Sequence, residues 1–247
     1  MNSFVNGERR QLKLFCIPYA GGSATYYLKW RRHLDQDIKL VPLELSGRGA
    51  RFEEPLHRNF QDAVDDLYNH LLRELDTEEP YAIFGHSMGA LFGFELYQKL
   101  HFNQKALPRH MFFSGKQAPH INLFMTRREK IHGLPDEQLL EKLKEYNGVT
   151  QEFLNNHELI KMFLPVIRAD FRMVETYQFI ADRYRMNCPI TILNGSHDYM
   201  TEEEVKAWEM HTTNTCAVIS FKGGHFFIDE HLSQVIHIIH SSIKVEH

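Results

Sequence analysis

The sequence predicts an α/β fold, with a mostly parallel sheet flanked by helices and a helical lid inserted in the second half of the chain. Two observations carry this. Short apolar runs recur at residues 12–17, 40–43, 81–84, 110–114, 190–194 and 217–221, separated by stretches of helical periodicity, and that alternation marks buried parallel strands joined by crossover helices. Residues 116–187 break the rhythm, because they exceed what one crossover requires and are patterned for helices rather than strands. A chain of 247 residues lies within what one core organises, so a single domain over 1–247 is expected.

The elements follow in chain order. Residues 12–17 read as a strand that opens into the small-residue loop Pro18-Tyr19-Ala20-Gly21-Gly22-Ser23. Ala63, Val64, Leu67, Tyr68, Leu71, Leu72 and Leu75 share one helical face behind Asp62, as a crossover helix requires. Residues 81–84 lead through Gly85-His86-Ser87-Met88-Gly89 into the helical stretch 90–100. In the insertion, Leu139, Leu140 and Leu143 mark a helix over 136–146. Ile160, Phe163, Leu164, Ile167, Phe171 and Val174 mark a longer segment over 157–179, which Pro165 is expected to kink or break, so that it forms either one helix or two. A last helix runs toward Ile243. Helices placed over the carboxyl ends of a parallel sheet build pockets and lids, and Phe124, Met125, Phe163 and Phe171 are candidate lining residues.

Composition excludes several function classes. The chain is 43% apolar and 24% charged, ordinary for a globular protein, and its formal charge of −4 is spread among mixed signs. No basic stripe suggests nucleic acid or an anionic lipid surface. The first residues lack a secretory apolar run, and nowhere do about 18 apolar residues follow one another, so a cytoplasmic protein is expected. Cys16, Cys188 and Cys216 form no close pair and read as buried thiols rather than a disulfide or zinc site. The sixteen histidines include no metal-ligand spacing. With neither a GxGxxG nor a Walker pattern present, no metal or bound cofactor is expected.

Chemistry concentrates in three places. The run 81–100 is the strand, sharp turn and helix of a nucleophile elbow, G-x-S-x-G in its required context, which points to an α/β-hydrolase with Ser87 as nucleophile. Gly85 and Gly89 let strand and helix approach closely, whereas His86 points away from Ser87 and reads as a packed structural histidine. A hydroxyl needs a base, and His225 supplies one after Lys222-Gly223-Gly224 at the end of the last strand. The imidazole needs a carboxylate, and Asp198, beyond the strand 190–194, completes the order Ser, Asp, His, with Asp170 and Asp229 as rivals. For the oxyanion, the Met88 N–H is one donor by construction of the elbow, and Ala20 or Gly21 offers the second.

Five motifs together carry a family resemblance: Pro18-Tyr-Ala-Gly-Gly-Ser, Leu45-Ser-Gly-Arg-Gly-Ala-Arg-Phe with Glu54-Pro55, Phe84-Gly-His-Ser-Met-Gly-Ala, Leu164-Pro-Val-Ile-Arg-Ala-Asp-Phe and Gly223-Gly-His-Phe-Phe. In this order, over nearly the whole chain, they resemble the type II thioesterases of nonribosomal peptide and polyketide synthesis. The resemblance implies an editing hydrolase that removes acyl groups from the phosphopantetheine arm of carrier domains. It places the nucleophile on Ser87, the acid on Asp198, the base on His225 and the oxyanion donors on Ala20 and Met88. It also implies that the substrate brings the 4'-phosphopantetheine; nothing in the sequence demands more than a monomer. One departure is Ser46, where the family has proline. A small-molecule carboxylesterase or acyltransferase would share the triad, so the preference for thioesters rests on the resemblance alone. Arg48 and Arg51 either steer an acidic carrier or pair with Glu53 and Glu54 on a solvated loop, and Glu44 carries the same ambiguity.

Overall fold

The computed structural model describes residues 4–5, 8–9, 11–75, 79–126, 128–146, 148–181 and 183–243. A two-residue hairpin, β1 (Phe4–Val5) and β2 (Glu8–Arg9), precedes the main sheet and was not foreseen from the sequence pattern. The sheet itself is built from β3 (Leu12–Ile17), β4 (Ile38–Pro42), β5 (Tyr81–His86), β6 (His110–Ser114), β7 (Ile190–Gly195) and β8 (Cys216–Phe221). Its spatial order is β4-β3-β5-β6-β7-β8, and every neighbouring pair is parallel. All six expected strands are present, lengthened by a residue or two at some ends, with β4 ending at Pro42 rather than Leu43.

This order decides where a site can form. From β3 the chain moves outward to β4 on one side, then returns to add β5 on the other. The loops leaving β3 and β5 therefore diverge at a topological switch point, the crevice in which open α/β sheets bind ligands. Ile17 at the end of β3 is in register with Gly85 at the end of β5, so the Pro18–Ser23 loop lies beside Ser87.

Helices cover both faces. On one side lie α1 (Phe60–Glu74), capped by the Asn59 side chain on the Asp62 N–H, and α2 (Met88–Phe102), buried on nearly all sides. Their apolar residues, with Trp208 and the inner face of the sheet, make the larger core. A second core on the opposite face joins Tyr27, Trp30 and Phe84 to α7 (Phe227–Glu230) and α8 (Leu232–Ile243). The short α6 (Glu202–Lys206) follows β7 and begins in a reciprocal Thr201–Glu204 capping box.

Between β6 and β7 stand α3 (Asp136–Glu145), α4 (Gln151–Leu154) and α5 (His157–Thr176). They enclose a small core of their own around Ile131, Leu139, Leu143, Leu164 and Ile167. Pro165 does not divide α5, which is one helix. The proline is exposed, and the water-facing side of a helix is the one on which the loss of a backbone hydrogen bond is cheapest. The return from the insertion is tied to α2 by Glu95, which accepts hydrogen bonds from the Tyr177 hydroxyl at 2.7 Å and from Arg183 at 2.9 Å. Among the described residues no helix is long and apolar enough to cross a membrane, and no group of three or more His, Cys, Asp or Glu is placed to hold a metal ion. Cys16 and Cys188 are buried free thiols, and Cys216 is half-buried.

Candidate active site

Ser87 sits between β5 and α2 with φ of 55° and ψ of −111°. A non-glycine residue held there stores roughly 1–3 kcal/mol of strain. The surroundings impose it. The Ser87 N–H donates to the Ser114 carbonyl at 2.7 Å. A Cβ on Gly85 would fall 2.1 Å from the Gly89 carbonyl oxygen, and one on Gly89 would fall 2.1 Å from that of Ile17. Both glycines are thus fixed by backbone contact, and the turn aims the hydroxyl off the sheet's carboxyl edge.

The other two expected residues arrive on adjacent loops. His225 Nε2 lies 2.9 Å from Ser87 Oγ, and His225 Nδ1 lies 2.7 Å from Asp198 Oδ2. The second Asp198 oxygen accepts the Tyr199 N–H at 2.8 Å, and this carboxylate is 1% exposed against 17% for the imidazole. Gly195 is the hidden requirement. A Cβ there would lie 2.2 Å from the Gly224 carbonyl oxygen, so the Asp198 and His225 loops touch through bare backbone, further linked by the His197 N–H donating to the Gly223 carbonyl at 2.9 Å.

The rivals fall elsewhere. Asp229 is half-exposed on α7 and pairs with Lys29 and the Tyr26 hydroxyl. Asp170 lies on α5, fully buried, and forms a two-pronged ion pair with Arg48. His86 is buried and bonded through Nδ1 to the Ser114 hydroxyl at 2.9 Å; burial holds its imidazole well below the ordinary range, so it is a neutral structural ring. Arg48 is neither a surface cation nor a partner of Glu53 or Glu54, because the Ser46-Gly47-Arg48 turn carries it inward. Arg51 bridges Glu54 and Asp66. Glu44 accepts hydrogen bonds from the Ser23 hydroxyl and the Ala24 N–H, and burial pushes its carboxyl above the usual range.

A cavity of about 540 Å³ opens from Ser87 under the insertion, within the range of small-molecule sites. Phe124, Phe163 and Phe171 line it as expected, together with Val149, Phe153 and Ile167. Met125 does not. It is 76% exposed, because the 3-10 turn Leu123–Met125 buries Leu123 and turns the methionine outward. The family model described as "Thioesterase domain" matches residues 12–243. The chain belongs to the thioesterase family.

Relatives of this thioesterase agree with the resemblance read from its motifs. It is 33% identical over 246 residues to the gramicidin S biosynthesis protein GrsT of Aneurinibacillus migulanus, covering 99% of this chain and 93% of that one. It is 37% identical over 238 residues to a Brevibacillus parabrevis protein named linear gramicidin dehydrogenase LgrE, covering 95% and 88%. Among solved structures, ClbQ from the colibactin NRPS/PKS pathway superimposes with a TM-score of 0.89 at 36% identity, covering 94% of this chain and 97% of that one.

Two cavity residues of the thioesterase escaped the motif reading. Lys116 follows β6 and is 2% exposed; burial, helped by nearby Arg128 and opposed by Asp198, pulls its ammonium down to about 7. Arg128 stacks its guanidinium over Tyr199 at 4.0 Å, with the Tyr146 and Phe124 rings at 4.9 and 5.3 Å. It thereby joins the insertion to the loop that carries Asp198. Single basic residues in unpatterned sequence gave no signal of either contact.

Proposed function

We propose that this chain is a stand-alone type II thioesterase that hydrolyses acyl thioesters from the phosphopantetheine arm of carrier domains in nonribosomal peptide or polyketide synthesis. The observation that carries the reading is the continuous hydrogen-bonded line Ser87–His225–Asp198 opening on the 540 Å³ cavity. The names of its relatives support the carrier as the substrate's bearer.

The geometry supports the following sequence of steps. Ser87 Oγ attacks the thioester carbon while His225 Nε2 takes its proton, and Asp198 holds the imidazole in the tautomer that makes Nε2 an acceptor. The oxyanion is met by the Met88 N–H, at the N-terminus of the fifteen-residue α2, and by the Ala20 N–H. Ala20 is favoured over Gly21 because the Gly21 N–H is already donated to Asp170 at 2.7 Å. The C–S bond then breaks, and His225 returns the proton to the departing sulfur, which leaves as the free thiol. A thiol, with a pKa of roughly 8.5, leaves with less acid assistance than an alkoxide needs. Water attacks the acyl-serine, gives its proton to His225, and the free acid departs as Ser87 is restored. The pantetheine arm belongs to the substrate, the enzyme needs no cofactor of its own, and it acts as a cytoplasmic monomer on the acylated carrier domain.

The test is hydrolysis of an acetyl group from a phosphopantetheinylated carrier domain, with acetyl-coenzyme A as the free-thioester control. The carrier is expected to clear faster than the control, and Ser87→Ala to lose about a thousandfold or more. Equal clearing of both substrates refutes carrier recognition and leaves a general esterase; a fully active Ser87→Ala refutes the nucleophile.

A further inference from the structure

The buried pair Arg48–Asp170 takes no part in the proton transfers above, yet it reaches the loop that carries Ala20. In that loop the Gly22 N–H donates to the Tyr19 carbonyl at 2.9 Å, and Gly21 has φ of +77°. This is the pattern of a type II turn with Ala20 and Gly21 at its centre. The pair grips the turn at two points: Asp170 Oδ2 accepts the Gly21 N–H at 2.7 Å, and Arg48 Nη1 donates to the Gly22 carbonyl at 3.2 Å.

Arg48 and Asp170 are joined by two parallel hydrogen bonds across 122 residues of sequence, with exposures of 2% and 0%. A charge pair so buried survives only where its geometry is good and its remaining hydrogen-bonding groups are met, and here the turn meets them. The helix carrying Asp170 also sets the turn sterically. A Cβ at position 21 would lie 2.8 Å from Cγ1 of Ile167, one turn before Asp170 on α5.

We propose that Arg48 and Asp170 are positioning residues for the oxyanion hole, holding the 19–22 turn in the conformation that directs the Ala20 N–H at the developing oxyanion and making the seating of α5 a condition of turnover. This rests on the assignment of Ser87 as nucleophile and Ala20 as donor. The pair touches the turn from the side of α5 and not the scissile bond, so its loss acts on transition-state stabilisation rather than on ground-state binding.

The experiment compares wild type, Asp170→Asn and Arg48→Lys, with rates expressed per folded molecule from thermal unfolding and end-point titration of Ser87. Turnover of an acyl N-acetylcysteamine thioester is expected to fall by roughly a hundredfold, the scale of an ångström-sized displacement of a catalytic group, with KM unchanged. An alkyl trifluoromethyl ketone, which forms a tetrahedral adduct with Ser87, should bind more weakly by the same factor. A thioether that cannot react should bind as before. Should Asp170→Asn not fold, Arg48→Lys, which keeps the charge but loses the two-pronged contact, gives the same readings. Unchanged turnover and ketone affinity in the folded variants overturn the inference, as does an equal loss of ketone and thioether binding. If wild type forms no adduct with the ketone, the nucleophile assignment fails instead.

Discussion

Replacing Asp198 by Asn tests the site through one atom. In the native site Tyr199 N–H occupies one carboxylate oxygen and His225 Nδ1–H the other. In the amide only one oxygen remains, and the Tyr199 N–H, fixed by backbone, claims it. The new NH2 then faces Nδ1, which must accept, so the imidazole proton moves to Nε2 and the Ser87 proton has nowhere to go. Turning the amide over, or keeping the original tautomer, sets two donors against each other in a site where Asp198 is 1% exposed, at a cost of about 1–3 kcal/mol. The imidazolium formed during attack also loses its carboxylate. At ~4 Å and an effective permittivity of ~20 that attraction is about 4 kcal/mol. Together these give about 5–7 kcal/mol, or roughly 10⁴–10⁵ in the acylation rate. The assay is single-turnover acylation by an N-acetylcysteamine thioester, with the Kd of a thioether analogue as the binding control. Asp198→Ala, which leaves room for water to accept from Nδ1, should be at least as active as Asp198→Asn. A loss below about tenfold, or an Asn variant faster than Ala, refutes the tautomer argument.

Lys116→Met should stabilise the fold near neutrality: with a folded-state pKa of about 7 against about 10.5 unfolded, the lysine's destabilisation reaches about 4 kcal/mol at pH 7 and vanishes above pH ~10.5. Urea unfolding at pH 7 and pH 10.5 checks this, and an equal gain at both refutes it. Gly195→Ala forces its Cβ onto the Gly224 and Gly223 carbonyl oxygens, so kcat should fall about a hundredfold as the Asp198 and His225 loops part; steady-state kinetics at native-like rates would refute the close-approach account. His110 is buried against the Thr191 hydroxyl and its pKa is lowered to about 4. The stability tied to its neutral ring is complete above pH ~6.5 and is lost as pH falls toward 4. His110→Gln should therefore remove about 1.4 kcal/mol per pH unit from the slope of unfolding free energy across that window, and an unchanged slope would refute it.

What the sequence disclosed and what it hid divide along sequence distance. Ser87 was legible because the elbow is local: strand, turn and helix are contiguous, and both glycines stand within two residues of the serine. His225 and Asp198 were legible because parallel strands deliver their following loops to one edge. Arg48 and Asp170 were not, since their contact spans 122 residues and a charge in a Gly-Arg-Gly turn looks solvated. Pro165 left one helix or two open for a related reason. Whether a proline breaks a helix depends on which side it faces, and the apolar stripe around it did not reveal that its own position was outward. Met125 was read as apolar and hence inward, but the three-residue turn points its large side chains in different directions, Leu123 into the core, Phe124 into the cavity and Met125 to solvent.

The insertion therefore has two jobs, and α5 serves both. Val149, Phe153 and Phe163 are cavity wall. Further along α5, Ile167, itself part of the cavity wall, lies against Gly21, Asp170 grips the turn, and Met173 enters the larger core, while Phe171 and Val174 still line the cavity. One helix turn separates Phe163 from Ile167. Substitution of Phe153 or Phe163 reshapes the chamber and should alter which acyl groups fit, while substitution of Asp170, which grips the turn and lines no part of the cavity, should slow every acyl group alike. A lid that opened by swinging the whole of α5 would undo the Gly21–Asp170 hydrogen bond at each cycle.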